Sequence, residues 1–417
     1  MSEDSEATKE RQIDWVRQAA SSRDPDSGPA RLRSPALRLQ VAGLFAGIGG
    51  VELGLARNGH ESVLLCEWEK GANAVLDAHF PSVKRHNDVT TLKSLPKETE
   101  LITAGFPCQD LSQAGKTAGI EGARSGLVGE VFRLLERKRV PWVLLENVPF
   151  MLQLSKGRAL DTIIVALEKL GYDWAYRVID SRAFGVPQRR ERVFLLASRV
   201  GDPRDYLLTD DAGVPEEPPL DGRAFGFYWT EGIRGLGAAI DAVPTLKGGS
   251  TIGIPSPPAI LMPDGNVVKP DIRDLERMQG FEPDWTQPAE RLAKRGHRWK
   301  LVGNAVTVNT AAWVGRKLAN PGSYDSKNDS PLRRLGAWPR AAWGVKGVRA
   351  VSSASAWPEH TKRVRLEKFL RFPVEMLSVK ATSGFLERAG RGSLRFPPGF
   401  IEQLRRHLSR MQTASAA

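Results

Sequence analysis

Residues 39–67 read LQVAGLFAGIGGVELGLARNGHESVLLCE. The first apolar run predicts a strand, the pattern VELGLARN predicts a helix, and the next apolar run predicts a second strand that ends at Glu67. Gly47, Gly49 and Gly50 lie between the first strand and the helix, where small residues let the backbone approach a ligand. A tight turn without a ligand would use the same glycines, so the turn alone leaves both interpretations open.

Acidic residues after the second and third predicted strands indicate that the ligand carries a nucleoside. Glu67 follows the glycine turn by about 20 residues, where a carboxylate can accept hydrogen bonds from both ribose hydroxyls. Asp88 can contact a base edge in the same way, and Trp68 either stacks on an adenine or packs in the core. Because the turn is not GxGxxG, a cofactor with one nucleoside is favoured over a dinucleotide.

Strand and helix patterns continue to alternate up to about residue 199. The alternating segments are LITAGF, EVFRLLERKR, WVLLENV, ALDTIIVALEKL and RVFLLA. Such alternation predicts an α/β fold, with a parallel sheet covered by helices on both faces. Residues 200–270 are rich in Gly and Pro and predict a smaller irregular region, after which helical patterns return with DIRDLERMQGF and between residues 304 and 318.

Composition limits the classes of protein that the 417 residues can form. No apolar run approaches the roughly 20 residues that a membrane span needs. The N-terminus, MSEDSEATKERQ, is acidic and polar, unlike a secretory signal, so we expect a cytoplasmic protein. Residues 1–37 predict a flexible arm. Two cysteines cannot form a disulfide framework, and the six histidines show no metal-ligand spacing, so no metal site is predicted.

The net charge of +12 is concentrated near the C-terminus. Residues 331–410 contain 17 Lys and Arg against 5 Asp and Glu, which leaves the rest of the chain neutral. A basic segment suits a polyanion such as nucleic acid, but a solvated tail would have the same composition, and both interpretations stay open.

Cys108, in ITAGFPCQDLSQAGK, directly follows a predicted strand and enters a polar, glycine-containing segment, where a reactive group would be displayed. At this point the sequence resembles the DNA cytosine-5 methyltransferases, which use S-adenosylmethionine. The resemblance is an ordered series of motifs between residues 39 and 318: LFAGIGG (44–50), CEWE (66–69), NDV (87–89), GFPCQ (105–109), RSGL (124–127), ENV (146–148), QRRER (188–192), RDLERMQGF (273–281) and LVGNAV (301–306).

The resemblance implies a Rossmann-like methyltransferase sheet with a smaller target-recognition region. The family keeps its target-recognition domain between the QRRER and RDLERMQGF motifs, and Thr245 with Leu246 resembles a Thr-Leu pair found there. The glycines of GGSTIG suit a recognition loop but could also merely connect strands. The expected organisation is an arm (1–37), a catalytic and cofactor-binding domain (38–199), a target-recognition region (200–270), a return to the catalytic domain (271–320) and a basic C-terminal extension (321–417).

The resemblance also assigns roles to single residues. It implies that Cys108 is the nucleophile, Glu146 the acid that contacts the cytosine ring and Arg190 a second contact to the flipped base. The cofactor positions are Phe45, Gly47, Ile48, Gly50, Glu67, Trp68, Asp88, Val89, Pro107, Leu127, Asn304 and Val306. The substrate or DNA contacts are Gln109, Gln188, Arg192 and Thr245.

Alternatives and departures accompany these roles. The apolar cofactor positions could be ordinary core, and the Arg and Gln positions of QRRER could form a structural network. Gly43 stands two places before Phe45, where the family usually has an acidic residue, and Asp110 adds a negative charge near the predicted nucleophile. An acid that works near neutral pH needs a raised pKa, so we expect Glu146 to be buried.

The function that the resemblance implies is transfer of a methyl group from S-adenosylmethionine to C5 of a cytosine flipped out of double-stranded DNA, through a Cys108–C6 adduct at a short target sequence. The implied role is restriction-modification or host DNA marking, by a monomer. Whether a cognate restriction endonuclease or defence-system protein accompanies the chain stays open. The alternatives are an RNA (tRNA) cytosine-5 methyltransferase, which GFPCQ disfavours, and a catalytically silent DNA-binding regulator, which the presence of all reacting residues disfavours.

Overall fold

The computed structural model describes residues 37–107, 126–248, 257–292, 296–333 and 336–416. Cys108, Gln109 and Asp110 lie outside these ranges, as does the predicted arm up to residue 36.

The described residues form strands and helices in the following order. The strands are β1 (Gln40–Leu44), β2 (Glu61–Cys66), β3 (Lys84–His86), β4 (Leu101–Ala104), β5 (Trp142–Asn147), β6 (Asp173–Asp180), β7 (Gln188–Arg189), β8 (Glu191–Ser198), β9 (Phe225–Phe227), β10 (Ala238–Ile240), β11 (Val243–Pro244), β12 (Ala259–Leu261), β13 (Val267–Lys269), β14 (Ser330–Pro331), β15 (Ala341–Val345), β16 (Val348–Val351) and β17 (Glu375–Met376). The α-helices are α1 (Gly50–Ala56), α2 (Lys70–His79), α3 (Leu127–Arg137), α4 (Arg158–Lys169), α5 (Arg204–Leu207), α6 (Ile272–Met278), α7 (His297–Asn304), α8 (Val308–Ala319), α9 (Leu366–Phe369), α10 (Val379–Arg391) and α11 (Phe400–Ala416). Within the described ranges, no helix is long and apolar enough to cross a membrane.

A large sheet with the order β14-β16-β15-β6-β8-β5-β4-β1-β2-β3 forms the centre of the described chain. The half from β5 to β3 is parallel, as the alternating patterns predicted. The other half is antiparallel, which the sequence analysis did not predict. The reason is that β6 returns into β8 through a short connection, whereas a parallel pair needs a longer crossover.

Helices cover both faces of this sheet, which confirms the predicted α/β fold. Alternate residues of β1 point to opposite faces. Ala42 packs in one cluster with residues of α3 and α4, and Val41 packs in another with residues of α8. The parallel strands are therefore apolar on both sides, as expected for a sheet between two helical layers.

The region between residues 200 and 270 contains short antiparallel strands, which the expectation of an irregular region missed. The order of this second sheet is β10-β9-β12-β13-β17, so its last strand comes from the C-terminal extension. Phe385 of α10 and Phe400 of α11 pack against Phe225 and Phe227 of β9. The C-terminal extension therefore contributes to both sheets. β14–β16 extend the central sheet, while β17, α10 and α11 complete the smaller one.

Candidate active site

A cavity of about 570 Å³ opens beside the carboxyl end of β1. β1 lies between β2 and β4 in the sheet. The connection after β1 runs to β2 on one side, whereas β4 and β5 are added on the other side, so the strand order reverses at β1. Ligands of open α/β sheets bind in the crevice at such a switch point. The volume lies within the usual range for small-molecule sites, about 300–1,000 Å³.

The turn after β1 has a backbone that few residues adopt. Phe45 has a φ of 57° and Gly47 a φ of 56°, both in the left-handed region. For a bulky residue such as Phe45 this conformation is an outlier, and such strain concentrates at functional sites. Gly50 is required for a different reason, since a Cβ at this position would lie 2.4 Å from the carbonyl oxygen of Val306.

Glu67 is held at the end of β2 by backbone donors. Its Oε2 accepts a hydrogen bond from the N–H of Gly47 at 2.7 Å, and its Oε1 accepts one from the N–H of Glu69 at 2.8 Å. Burial raises the pKa of the Glu67 carboxyl, and these backbone hydrogen bonds oppose the shift. The carboxyl therefore ties the glycine turn to β2 while lining the cavity.

Asp88 and Trp68 lie on the wall near β3 and β2. The Asp88 carboxylate accepts hydrogen bonds from the side chain and backbone of Thr90, and these lower its pKa. Trp68 is 77% exposed, which excludes the alternative that it packs in the core. An exposed indole at the cavity mouth offers a face on which a base can stack.

Most predicted cofactor positions line this one cavity. They are Phe45, Gly47, Ile48, Glu67, Trp68, Asp88, Val89, Pro107, Leu127 and Asn304. The other two, Gly50 and Val306, line a smaller adjoining cavity of about 50 Å³. Lys300 also lines the large cavity, and the sequence analysis missed it, although it stands one helical turn before Asn304 on α7. The cavity therefore offers two carboxylates that can accept hydrogen bonds, an exposed indole that can stack, and apolar side chains. This set of groups fits the hydroxyls and the base of an adenosine.

Glu146 and Arg192 form an ion pair beside the smaller cavity. The Nε of Arg192 lies 3.1 Å from Oε1 of Glu146, and both side chains are largely buried. The pair forms because Glu146 lies opposite Phe194 in the β5–β8 ladder, and Arg192 points to the same side two residues earlier. Burial raises the pKa of Glu146, as expected for an acid that works near neutral pH, while Arg192 and Arg190 oppose the shift.

Gln188 and Arg190 belong to a buried network instead. Arg190 donates hydrogen bonds to the carbonyl oxygens of Leu246, Gly303 and Ala305 at 3.1, 3.2 and 2.6 Å. Gln188 donates to the carbonyl oxygen of Met278 and accepts from the N–H of Leu246. These bonds use Nη1 and Nη2 of Arg190, whereas its buried Nε has no partner among the described residues, and the expected contact with the base stays a prediction.

Comparisons with known proteins agree with this geometry. The profile of the C-5 cytosine-specific DNA methylase family matches residues 39–218. The chain is 45% identical over 385 residues to the type II methyltransferase M2.BsuMI of Bacillus subtilis (strain 168), which covers 88% of this chain and 98% of that protein. The chain belongs to the C-5 cytosine-specific DNA methylase family. It is a DNA (cytosine-5) methyltransferase, of a family that uses S-adenosylmethionine.

Two other matches are less similar. The type II methyltransferase M1.ScrFI of Lactococcus lactis subsp. cremoris is 36% identical over 335 residues, covering 71% of this chain and 82% of that protein. A crystal structure of the S. pombe Dnmt2 methyltransferase has 17% identity and a TM-score of 0.49, covering 67% of this chain and 98% of that one.

The Thr-Leu pair of the methyltransferase directly follows β11, which forms a separate two-stranded sheet with β7. β11 pairs in parallel with β7, and the hydroxyl of Thr245 donates a hydrogen bond to the carbonyl oxygen of Arg189 at 2.8 Å. Leu246 is buried. Its N–H donates a hydrogen bond to the side chain of Gln188, and its carbonyl oxygen accepts one from Arg190. The pair therefore anchors the residues that follow β11 to β7 and to Arg190, just before the strand that carries Arg192.

Asn147 is a site residue of the methyltransferase that the sequence analysis did not single out. Its Nδ2 donates a hydrogen bond to the carbonyl oxygen of Phe106 at 3.0 Å, and its Oδ1 accepts one from the N–H of Val148 at 2.9 Å. The available signal was its place in the ENV motif. Asn147 thus fixes the backbone two residues before Cys108, which itself lies outside the described residues.

Cys66, the other cysteine of the methyltransferase, is unsuited to nucleophilic attack. It is buried at the end of β2, and burial raises the pKa of its thiol to about 12. A thiol with this pKa is almost wholly protonated at neutral pH, and only the thiolate is an effective nucleophile.

Proposed function

We propose that this methyltransferase methylates C5 of a cytosine flipped out of duplex DNA, at a specific short target, through a transient bond between Cys108 and C6. The observation that carries the proposal is the position of Glu146. Its carboxyl is largely buried, paired with Arg192 and 3.2 Å from where a Cβ on Gly105 would lie. Gly105 begins the segment that leads to Cys108, which supports the assignment of acid and nucleophile to one site.

The cofactor proposal assigns S-adenosylmethionine to the large cavity. The carboxylates of Glu67 and Asp88 would bind hydroxyl and amino groups of its adenosine, and Trp68 would cover one ring face. When bound, S-adenosylmethionine supplies an electrophilic methyl group on a sulfonium. Gly105 and Pro107 line the same cavity, which supports delivery of that methyl group next to Cys108.

The chemistry requires a nucleophile and an acid because C5 of cytosine is a poor nucleophile. The thiolate of Cys108 forms a bond to C6 while Glu146 donates a hydrogen bond or proton to N3, which places electron density on C5. C5 would then form a bond to the methyl carbon as the bond between that carbon and the sulfonium breaks, which leaves a neutral thioether. Removal of the C5 proton restores the C5–C6 double bond and expels the Cys108 thiolate. Arg192 holds the Glu146 carboxyl in place throughout.

We assign target recognition to the smaller sheet together with the C-terminal extension. The base must leave the stack to reach Glu146, at a cost of a few kcal/mol, so contacts with the rest of the duplex have to hold the DNA. Thr245 bonds to β7, which directly precedes the Arg192 strand, and α10 and α11 pack against the smaller sheet and carry part of the excess positive charge. The relatives named type II methyltransferases support a role in restriction-modification or host DNA marking.

The test compares the wild type with Cys108→Ser. Purified enzyme and labelled S-adenosylmethionine are incubated separately with duplex DNA and with tRNA, and methylated positions are mapped at base resolution. We expect label on duplex DNA, at C5 of cytosines in one short sequence, and none with Cys108→Ser. Duplexes in which 5-fluorocytosine replaces the target should trap a covalent complex, because no C5 proton can leave. Label on tRNA alone, or full activity of Cys108→Ser, would overturn the proposal.

A further inference from the structure

Glu52, in the first turn of α1, is a buried carboxyl with an unpaired oxygen. Its side chain is 2% exposed. Oε1 accepts a hydrogen bond from the hydroxyl of Thr103 at 3.2 Å, whereas Oε2 has no hydrogen-bond partner among the described residues. A buried polar atom without a partner destabilises the folded protein, and a charged one does so more strongly, so such an atom in a native site indicates a missing ligand or ion.

The unpaired carboxyl lies at the edge of the cofactor cavity. Glu52 lines the small cavity of about 50 Å³, as does Glu146. That cavity shares Phe45, Gly47, Ile48, Gly105, Asn304 and Ala305 with the large one. Glu52 is therefore close to the cofactor cavity without being one of the carboxylates assigned to the adenosine.

Gly43 on β1 provides the space for this carboxyl. A Cβ on Gly43 would lie 2.3 Å from Oε1 of Glu52 and 3.0 Å from a methyl carbon of Leu65. The carboxyl of Glu52 thus occupies the volume that a side chain at position 43 would take. The departure at Gly43 has a structural reason, because this chain brings a carboxyl to that point from α1 instead of from β1.

We propose that Glu52 binds a cationic group of S-adenosylmethionine and so supplies an affinity that the adenosine contacts alone would not give. This inference rests on the proposed function. The cofactor carries two positive charges, an α-ammonium and a sulfonium, and either one would give Oε2 its missing partner. Without a cation, burial raises the pKa of Glu52 to about 7, so the carboxyl is partly protonated near neutral pH. A bound cation would stabilise the ionised form.

The experiment measures equilibrium binding by calorimetry to the full chain, without DNA. The ligands are S-adenosylmethionine with both charges, S-adenosylhomocysteine with the ammonium only, and 5′-methylthioadenosine with neither. We expect Glu52→Gln to weaken S-adenosylmethionine binding by about 10- to 100-fold, as for loss of a charge-assisted hydrogen bond. Binding of 5′-methylthioadenosine should change by less than about 2-fold. Glu61→Gln, at an exposed carboxyl at the start of β2, is the matched control and should bind all three ligands as the wild type does.

S-adenosylhomocysteine distinguishes the two cations. Equal weakening of S-adenosylmethionine and S-adenosylhomocysteine identifies the ammonium, whereas weakening of S-adenosylmethionine alone identifies the sulfonium. The double variant Gly43→Asp/Glu52→Ala returns a carboxyl to the same volume from β1, and it should recover binding to within about 5-fold of the wild type.

Two results would overturn the inference while leaving the proposed function intact. One is wild-type affinity of Glu52→Gln for S-adenosylmethionine. The other is equal weakening of all three ligands, 5′-methylthioadenosine included, which would make Glu52 a purely structural residue. A wild-type chain that fails to bind S-adenosylmethionine at all would instead overturn both proposals.

Discussion

The Nε of Arg192 lies 3.1 Å from Oε1 of Glu146, and this contact joins the two antiparallel strands β5 and β8 at the candidate active site. Arg190, two residues earlier, has the same type of side chain but donates hydrogen bonds to backbone carbonyls of the segments around Leu246 and Gly303. The two arginines of QRRER therefore have separable tasks. One orients the candidate acid, and the other holds the neighbouring segments together.

Replacing Arg192 with Ala should reduce methylation without unfolding the protein. The loss leaves Glu146 buried without its ion-pair partner, so the pKa of Glu146 rises further and its orientation is lost. We expect the single-turnover methylation rate to fall by about 100-fold, corresponding to roughly 3 kcal/mol. Arg192→Lys keeps the positive charge but not the planar guanidinium, so its methylation rate should fall less than that of Arg192→Ala. An Arg192→Ala enzyme with wild-type rate would contradict the assignment.

Replacing Arg190 with Ala should instead lower stability. Three buried carbonyl groups, those of Leu246, Gly303 and Ala305, would lose their donor. We expect the free energy of unfolding, measured with urea, to fall by about 3 kcal/mol. Arg189→Ala, at the exposed neighbouring position, is the control and should change stability by no more than about 0.5 kcal/mol. Equal stability of the two variants would refute the network role.

Trp68→Ala should weaken cofactor binding while leaving the fold unchanged. The indole is exposed at the cavity mouth, so its removal leaves no hole in the core. Loss of one stacked base contact is worth about 1–3 kcal/mol, so we expect the dissociation constant for S-adenosylmethionine to rise by about 10-fold or more. Val214→Ala, which truncates another exposed apolar side chain, should bind normally. Unaltered affinity of Trp68→Ala would show that the indole makes no such contact.

The stability difference between wild type and Glu52→Gln should depend on pH. Burial raises the pKa of Glu52 from 4.5 to about 7, opposed by its own backbone N–H, Thr103 and Arg85 and reinforced by Glu67. Below pH 4.5 the carboxyl is mostly protonated in both folded and unfolded chains, so its ionisation contributes nothing to the stability difference. Between pH 4.5 and 7 only the unfolded chain ionises freely, so the wild type should lose about 3 kcal/mol relative to Glu52→Gln, with no further change above that window.

Urea unfolding of the ligand-free proteins at pH 4.5, 6 and 8 measures this difference. Glu67, whose pKa burial also raises, titrates in both proteins and largely cancels in the comparison. A difference that stays constant with pH would mean that Glu52 is not held in the buried, partly protonated state.

Phe400→Ala should disrupt the smaller sheet even though it lies in the C-terminal extension. The ring of Phe400 is fully buried, and its centroid lies 5.0 Å from those of Phe225 and Phe227. We expect a loss of about 3–5 kcal/mol and faster proteolysis between residues 200 and 270. Gln412→Ala, at an exposed position of α11, is the matched control. Unchanged protease resistance of Phe400→Ala would mean that the extension is dispensable for this sheet.

Local patterns identified most strands and helices of the N-terminal half of the fold, although α2 and β6 were not among those predicted. β1, α1, β2, β4, α3, β5, α4 and β8 were predicted from hydrophobic period and glycine punctuation. These signals are local, because a buried strand or an amphipathic helix shows its period within a few residues. The same local signals indicated the glycine turn, Glu67 and Asp88, whereas the remaining residues expected at the cavity came from the family resemblance.

The local patterns could not predict which strands pair when they are far apart in the sequence, or which side chains are buried by such pairing. β15 pairs with β6 although more than 150 residues separate them, and β17 joins a sheet formed by a distant segment. Such partners depend on which edges the folded sheets leave open, and that information is absent from any short window.

The same division holds within the candidate site. The sequence identified Glu146 and the arginines of QRRER, but the choice between Arg190 and Arg192 depends on the β5–β8 register and on the segments that cover Arg190. The relation of Gly43 to Glu52 is likewise a contact between a strand and the following helix. Residue types and their order identify the family and its chemistry, whereas packing determines which of the two arginines pairs with Glu146.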